Sequence, residues 1–309
     1  MQFLYFLENL RCGFLDFFFS LTTLFGEETF FMVIGLIVFW CFNKQQGYYL
    51  LGTGFAGTLI NQTLKMSFRV PRPWIKDPNF TIVESAREGA SGFSFPSGHT
   101  QTSVGIFSGL FRWNKINWLR IVCIVMCVLV PLSRMYLGVH TPLDVGVSIV
   151  IALGLSFGLY PLFIKAENNT KIMYALLFGL FLMTVGFFIF ANFFKFPEEV
   201  YLAENLHNLQ SAQKNAYTLL GCSVGLILTY FIDNKYTKFD TKAVWWAQIL
   251  KVLGGIVCVL IVKELLRSPL EWIFNHELIA RAIRYFLIVV VAGILWPMTF
   301  KWFNKLGKK

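Results

Sequence analysis

Three polar clusters interrupt an otherwise strongly apolar chain. The first holds Lys65, Arg69 and Arg72, with Pro73 following. The second is Pro96-Ser97-Gly98-His99. The third runs from Ser133 and Arg134 through His140 to Asp144. Lys65, Arg72 and Arg134 would bring three cations to one membrane face. Buried cations without carboxylate partners are costly, so an anion is expected to complete such a site. Arginine's planar fork suits phosphate oxygens. Ser97 and Gly98 stand where a helix opens, and the free N–H groups and dipole of a helix N-terminus favour a phosphate. The chemistry these residues suggest is the gripping of a tetrahedral oxyanion.

The two histidines divide into two roles. His140 and Asp144 are one helical turn apart. Asp144 can therefore accept the N–H of one ring nitrogen, fix the tautomer and leave the other nitrogen as a nucleophile. His99 opens a different helix and can protonate a departing alkoxide. Nucleophile, orienting carboxylate, general acid and cation clamp are the parts of phosphoryl transfer through a phosphohistidine. The cations neutralise the transferring group, so no metal and no other cofactor is expected. The sequence also lacks a carboxylate-rich cluster suited to Mg²⁺.

The elements that carry these clusters follow from composition. The chain has 309 residues, 56% of them apolar and 14% charged. An ordinary soluble domain is roughly 25% charged. Mean hydropathy is +0.60. This excludes a disordered chain, a disulfide scaffold and a typical soluble enzyme. It predicts an all-α, polytopic membrane helical bundle. Apolar runs long enough to span fall near 29–43, 46–64, 98–112, 118–137, 142–163, 172–194, 215–233, 245–266 and 281–301. A tenth stretch, 3–25, contains Glu8, Arg11 and Asp16. It either spans or lies in the interface as an amphipathic helix. Nine or ten spans are thus expected. Residues 1–163 form a catalytic membrane core, and 164–309 add about four helices of unassigned role. The N-terminus has no basic region ahead of its first apolar residues, so a cleaved signal peptide is not expected.

The 27 basic residues outnumber the 17 acidic ones by ten. They collect between and after the apolar runs, which argues for membrane orientation and against nucleic-acid binding. Lys44, Arg112, Lys115, Arg120, Lys165, Lys171, Lys235, Lys238 and Lys242, with the tail residues Lys305, Lys308 and Lys309, mark one side as cytoplasmic. Glu198, Glu199 and Glu204 lie in a connection of the opposite set, which also holds the acidic turn Glu27–Glu28. The clusters at 65–97 and 134–141 then face the extracytoplasmic side of the cell membrane. His207 and His276 read as solvated loop residues, Arg281 and Arg284 as snorkelling side chains, and the six cysteines as small hydrophobes without a metal or disulfide pattern.

Each cluster alone has an ordinary structural explanation: a helix terminator at Arg72-Pro73, a polar turn at 96–99, a satisfied buried pair at His140 and Asp144. Together they resemble the type-2 phosphatidic acid phosphatase (PAP2) superfamily, with its signatures K-x6-RP, PSGH and SR-x5-H-x3-D. The resemblance covers about 29–163 and implies a six-helix catalytic core. It implies that His140 is the nucleophile, Asp144 its partner and His99 the acid. Lys65, Arg72, Ser97, Gly98 and Arg134 would hold the phosphate. Arg69 stands outside the signature, one turn from Lys65 and beside Arg72, and is an accessory candidate for a second phosphate.

The function expected is hydrolysis of a membrane lipid phosphate or pyrophosphate, an acid-phosphatase-type reaction in lipid metabolism, with vanadate as inhibitor. A lipid phosphotransferase would use the same site with a different acceptor. A phosphate-solute transporter is the alternative from another class, although transport has no need of the paired histidines. Phosphatidic acid is one of several substrates left open, and the oligomeric state cannot be read from the sequence.

Overall fold

The computed structural model describes residues 1–201 and 203–306, and every regular element among them is helical. The tail residues Lys308 and Lys309 and the side chains of Glu199 and Glu204 lie outside the described residues. Helices α1 (Gln2–Asn9), α2 (Gly13–Thr23), α3 (Glu28–Ile37), α4 (Lys44–Phe68), α5 (Pro73–Lys76), α6 (Gly98–Trp113), α7 (Asn117–Tyr136) and α8 (Pro142–Glu167) make up the first part of the chain. Helices α9 (Thr170–Phe193), α10 (Ala203–Ile232), α11 (Trp245–Leu265), α12 (Arg267–Phe274), α13 (Glu277–Val290), α14 (Trp296–Met298) and α15 (Phe300–Phe303) follow.

Five helices are long and apolar enough to cross a membrane: Asn117–Tyr136, Pro142–Glu167, Thr170–Phe193, Asn205–Thr237 and Glu277–Phe303. A sixth is reached if Gly13–Gly26 and Glu28–Phe42, bent by 54°, act as one span. The chain is an integral membrane protein of polytopic helical architecture. Each of the nine runs read from the sequence is helical, but fewer of them qualify as spans. With 16 residues, α6 reaches about 24 Å at 1.5 Å per residue, short of a hydrocarbon core of about 30 Å. The length of α4 suffices, but Thr58, Asn61, Gln62 and Lys65 dilute its apolar character. The run 29–43 is one arm of the bent pair.

The chain divides into two compact units. The first comprises Met1–Met32, Tyr49–Leu162 and Pro197–Leu209. Its core gathers Phe19, Ala86, Ala90, Tyr136, Leu137 and Val139, with a smaller cluster of Leu4, Phe80 and Ile82. Stretch 3–25 is not one helix here. The chain leaves α1 at Leu10 and restarts at Gly13. Its charges have structural partners. Arg11 donates to the carbonyls of Tyr136 (3.2 Å) and Thr81 (3.0 Å). Glu8 accepts the N–H of Thr81 (2.9 Å), and Asp16 accepts the hydroxyl of Tyr136 (2.7 Å). These bonds tie the N-terminal helices to loop 77–93, which joins the first cluster to the second, and to the end of α7, which begins the third.

The second unit comprises Val33–Tyr48, Phe163–Phe196 and Gln210–Lys309. Close helix packing is made possible by glycine: a Cβ on Gly221 would overlap the carbonyl oxygen of Ala282, and one on Gly255 would stand 2.6 Å from the Trp40 ring. Buried Lys251 donates to the carbonyl of Thr241 at 3.0 Å and lies 4.2 Å from the Phe300 ring centre. Arg284 is 8% exposed, so it is buried rather than snorkelling. His276 caps α13, while His207, which belongs to the first unit, lies within α10 rather than in a loop.

Candidate active site

Local backbone rules place the three clusters. Helix α4 ends where Arg69 takes a left-handed φ of 50° and its N–H bonds to Lys65 O at 3.0 Å. Two prolines then keep the chain extended. Arg72 has φ −65° and ψ 155°, the region favoured before proline, and Pro73 opens α5. Ser97 caps α6, its side chain accepting the N–H of Thr100 at 3.4 Å. Beyond α7, Gly138 turns the chain with φ 82°. A Cβ there would stand 2.7 Å from Arg11 Nη2 and 3.1 Å from both Phe80 and Thr81 O. Helix α8 begins with a reciprocal cap: Asp144 Oδ2 accepts the N–H of Thr141 (2.7 Å) and Thr141 Oγ1 accepts the N–H of Asp144 (3.3 Å). The carboxylate proposed to orient the histidine is thus fixed by the start of its own helix.

Lys65, Arg72, Gly98, His99 and His140 line one cavity of about 170 Å³ within the first unit. Arg72, 4% exposed, is held on three sides. Its Nε donates to Gly92 O (3.0 Å), its Nη2 to Ser91 O (2.7 Å), and its Nη1 to Val139 O (2.9 Å) and to His140 Nε2 (2.9 Å). Lys65 Nζ donates to Phe93 O at 2.6 Å. Since a guanidinium only donates, Nε2 is the accepting, unprotonated nitrogen of His140, which assigns the proton to Nδ1. Nδ1 faces Asp144 Oδ2 at 3.6 Å, beyond hydrogen-bond length. The same oxygen is already bonded by Ser94 Oγ at 2.7 Å. The contact between His140 and Asp144 is therefore electrostatic in this geometry.

Burial, reinforced by the cations of Arg72, Arg134 and Lys65, holds the His140 imidazole well below its ordinary 6.5. Arg72 is lowered by burial to about 10, with Asp144 opposing the shift, and stays charged at neutral pH. A neutral imidazole therefore faces a charged guanidinium, the state a nucleophile beside a phosphate clamp requires.

The other site residues fall around this cavity. Arg134, 1% exposed, donates from Nη1 to Thr23 Oγ1 at 2.6 Å. Its Nε and Nη2 are buried with no hydrogen-bond partner among the described residues. Such orphaned donors cost about 1–3 kcal/mol each and mark a place where an acceptor belongs. Ser97 is fully buried, and its N–H donates to Asp144 O at 3.2 Å. It positions α6 and does not line the cavity. Arg69 Nη1 donates to Met66 O at 2.9 Å. The arginine folds back on its own helix and is not among the cavity residues.

Other contributors were not singled out in the sequence. Gly26 packs on His99: a Cβ on Gly26 would stand 2.8 Å from His99 Cβ. Glu28, Thr58, Asn61, Gln62, Gln101 and Thr102 also line the cavity. The spacing of 58, 61, 62 and 65 marks one face of α4, a signal that was present in the sequence. Nothing local marks Gly26, and Glu28 is marked only as half of the acidic turn Glu27–Glu28.

Residues 45–168 match the PAP2 superfamily, and residues 217–309 match the family described as PAP2 superfamily phosphatase, transmembrane extension. Undecaprenyl-diphosphatase BcrC of Bacillus subtilis (strain 168) is 32% identical over 127 residues, covering 40% of this chain and 62% of its own. A probable sphingosine-1-phosphate phosphatase of Dictyostelium discoideum is 31% identical over 163 residues, covering 48% of this chain and 38% of its own. The chain thus spans less than two thirds of the length of either relative. The crystal structure of Aquifex aeolicus LpxE matches 50% of this chain and 91% of its own, at 25% identity and a TM-score of 0.45. The two family matches lie in order along one chain and the first of them contains all three polar clusters: this protein belongs to the PAP2 superfamily.

Proposed function

We propose that the chain is a membrane-embedded, metal-independent phosphatase. It hydrolyses a lipid phosphate through a phosphohistidine at the extracytoplasmic face. The observation that carries this reading is that His99 and His140 share one cavity with Lys65 and Arg72. The two relatives' names, a diphosphatase and a phosphatase, support the same reaction class.

In this reading a phosphate entering the cavity offers Arg72 Nη1 a charged acceptor stronger than the His140 ring. That frees the Nε2 lone pair. Nε2 attacks phosphorus in line as the bond from phosphorus to the lipid oxygen breaks. Burial and the cations of Arg134, Arg72 and Lys65 lower His99 to about 2. The charge of an arriving phosphate opposes those cations and raises it, so His99 takes up a proton with the substrate and gives it to that oxygen. Lys65, Arg72 and the orphaned Nε and Nη2 donors of Arg134 take up the charge of the equatorial oxygens. Water then attacks the phosphohistidine, His99 accepts its proton, and phosphate leaves. Residues 1–163 are the catalytic core in this account, and 164–309 serve it without contributing to the chemistry.

The test is phosphate release from lipid phosphates by the purified chain in detergent. His140→Ala should reduce turnover by at least about 10³-fold and His99→Ala by about 10²–10⁴-fold. Vanadate should inhibit as a mimic of the transferring group, and EDTA should not. Near wild-type turnover in either variant, or loss of activity on chelation, contradicts the reading.

A further inference from the structure

The cavity is larger and differently lined than a single phosphate requires. About 10–15 Å³ suffices for one water. The roughly 170 Å³ present therefore exceeds by a wide margin what four phosphate oxygens occupy. Every side chain lining it is polar, and the rest are glycines. An acyl or prenyl tail gains nothing by entering such a space. The cations lining it are Lys65 and Arg72, enough for one phosphate dianion. Beyond them the wall carries the carboxylate of Glu28 and the neutral groups of Thr58, Asn61, Gln62, Gln101 and Thr102. Gln101 is 4% exposed, and its Oε1 has no hydrogen-bond partner among the described residues. Glu28 forms no ion pair within the first unit's described residues, although Lys65 lines the same cavity. With Lys65, Arg72 and Arg134 committed to the first phosphate, a second phosphate placed against this wall would meet a carboxylate and no other lining cation, because Arg69 is bonded back to Met66 O.

Resting on the phosphatase reading, we infer that Glu28, Gln62 and Gln101 form a leaving-alcohol subsite. It takes a phosphomonoester whose alcohol carries a hydroxyl or ammonium donor near the ester carbon, in preference to a diphosphate. A carboxylate and an unpartnered amide oxygen call for donors on the ligand. A site built around such a donor rejects an analogue that lacks it more strongly than a shape difference would.

The experiment compares kcat/KM of the full chain in mixed micelles on four substrates of similar tail length. These are a sphingoid base phosphate, a monoacylglycerol phosphate, a polyprenyl monophosphate and a polyprenyl diphosphate. The two hydroxyl-bearing monoesters should exceed both polyprenyl substrates by about tenfold or more. Glu28→Gln, at the exposed mouth of the cavity, and Gln101→Leu should each collapse that ratio. A diphosphate turned over as well as the hydroxyl-bearing monoesters overturns the inference. So does a uniform loss on all four substrates in both variants, which would mark the residues as structural. Release from none of the four, or release that survives His140→Ala, removes the phosphatase reading itself and the inference with it.

Discussion

Arg72 Nη1 donates to His140 Nε2 at 2.9 Å, so the proposed nucleophile and the cation proposed to grip the phosphate are already in contact. The contact fixes a charge state. Burial and neighbouring cations keep His140 well below 6.5. Its neutral form therefore persists as pH falls through 6.5 and is lost only at the lower, folded-state value. The acidic limb of kcat/KM should lie below pH 6.5 once the substrate's own second ionisation, near pH 6, has been divided out. A corrected limb at or above 6.5 would show that His140 is not held neutral by this cluster.

Gly26 and His99 make a second close relationship. A side chain at Gly26 would press on His99 Cβ at 2.8 Å and on its carbonyl oxygen at 2.9 Å. Gly26→Ala should push His99, the proposed general acid, out of position. A displacement of about 1 Å can cost on the order of 10²-fold in rate. The expected result is a fall in kcat with little change in KM, and it should shrink for an aryl phosphate, whose leaving group needs no proton. An unaffected kcat would show that His99 is not positioned by this contact.

Asp144 acts on His140 by charge, across 3.6 Å, while Ser94 and Thr141 hold its carboxyl in place. Asp144→Asn keeps an acceptor oxygen for both partners and removes only the charge. It should lower kcat by about 10²–10⁴-fold and leave the thermal unfolding midpoint in detergent nearly unchanged. A large drop in that midpoint would make Asp144 a structural residue of the α8 cap instead.

Much of this site was legible from residue spacing because its parts are local. The gap from Lys65 to Arg72, the helix-opening Ser97 and Gly98, and the turn from His140 to Asp144 all describe short segments. Where the sequence misled, the cause was backbone direction or a distant partner. Arg69 looked placed for a second phosphate, yet its left-handed φ turns it back onto α4. Glu8, Arg11 and Asp16 looked like obstacles to a span, and they are hydrogen-bonding partners of Thr81 and Tyr136. The cavity wall was half visible, in the polar face of α4. Its other half, Gly26 and Glu28, comes from the break between two short helices, and no periodicity announces which surface that break will face.

The proposed covalent bond between His140 and phosphorus can be read directly. His99→Ala, incubated with a radiolabelled aryl phosphate and quenched in denaturant, should retain label on the chain. That label should be stable to base and lost in acid, as an N-linked phosphate is, and absent when His140→Ala is combined with His99→Ala. Phosphate release by the wild-type chain without any labelled intermediate, or label that persists without His140, would contradict it.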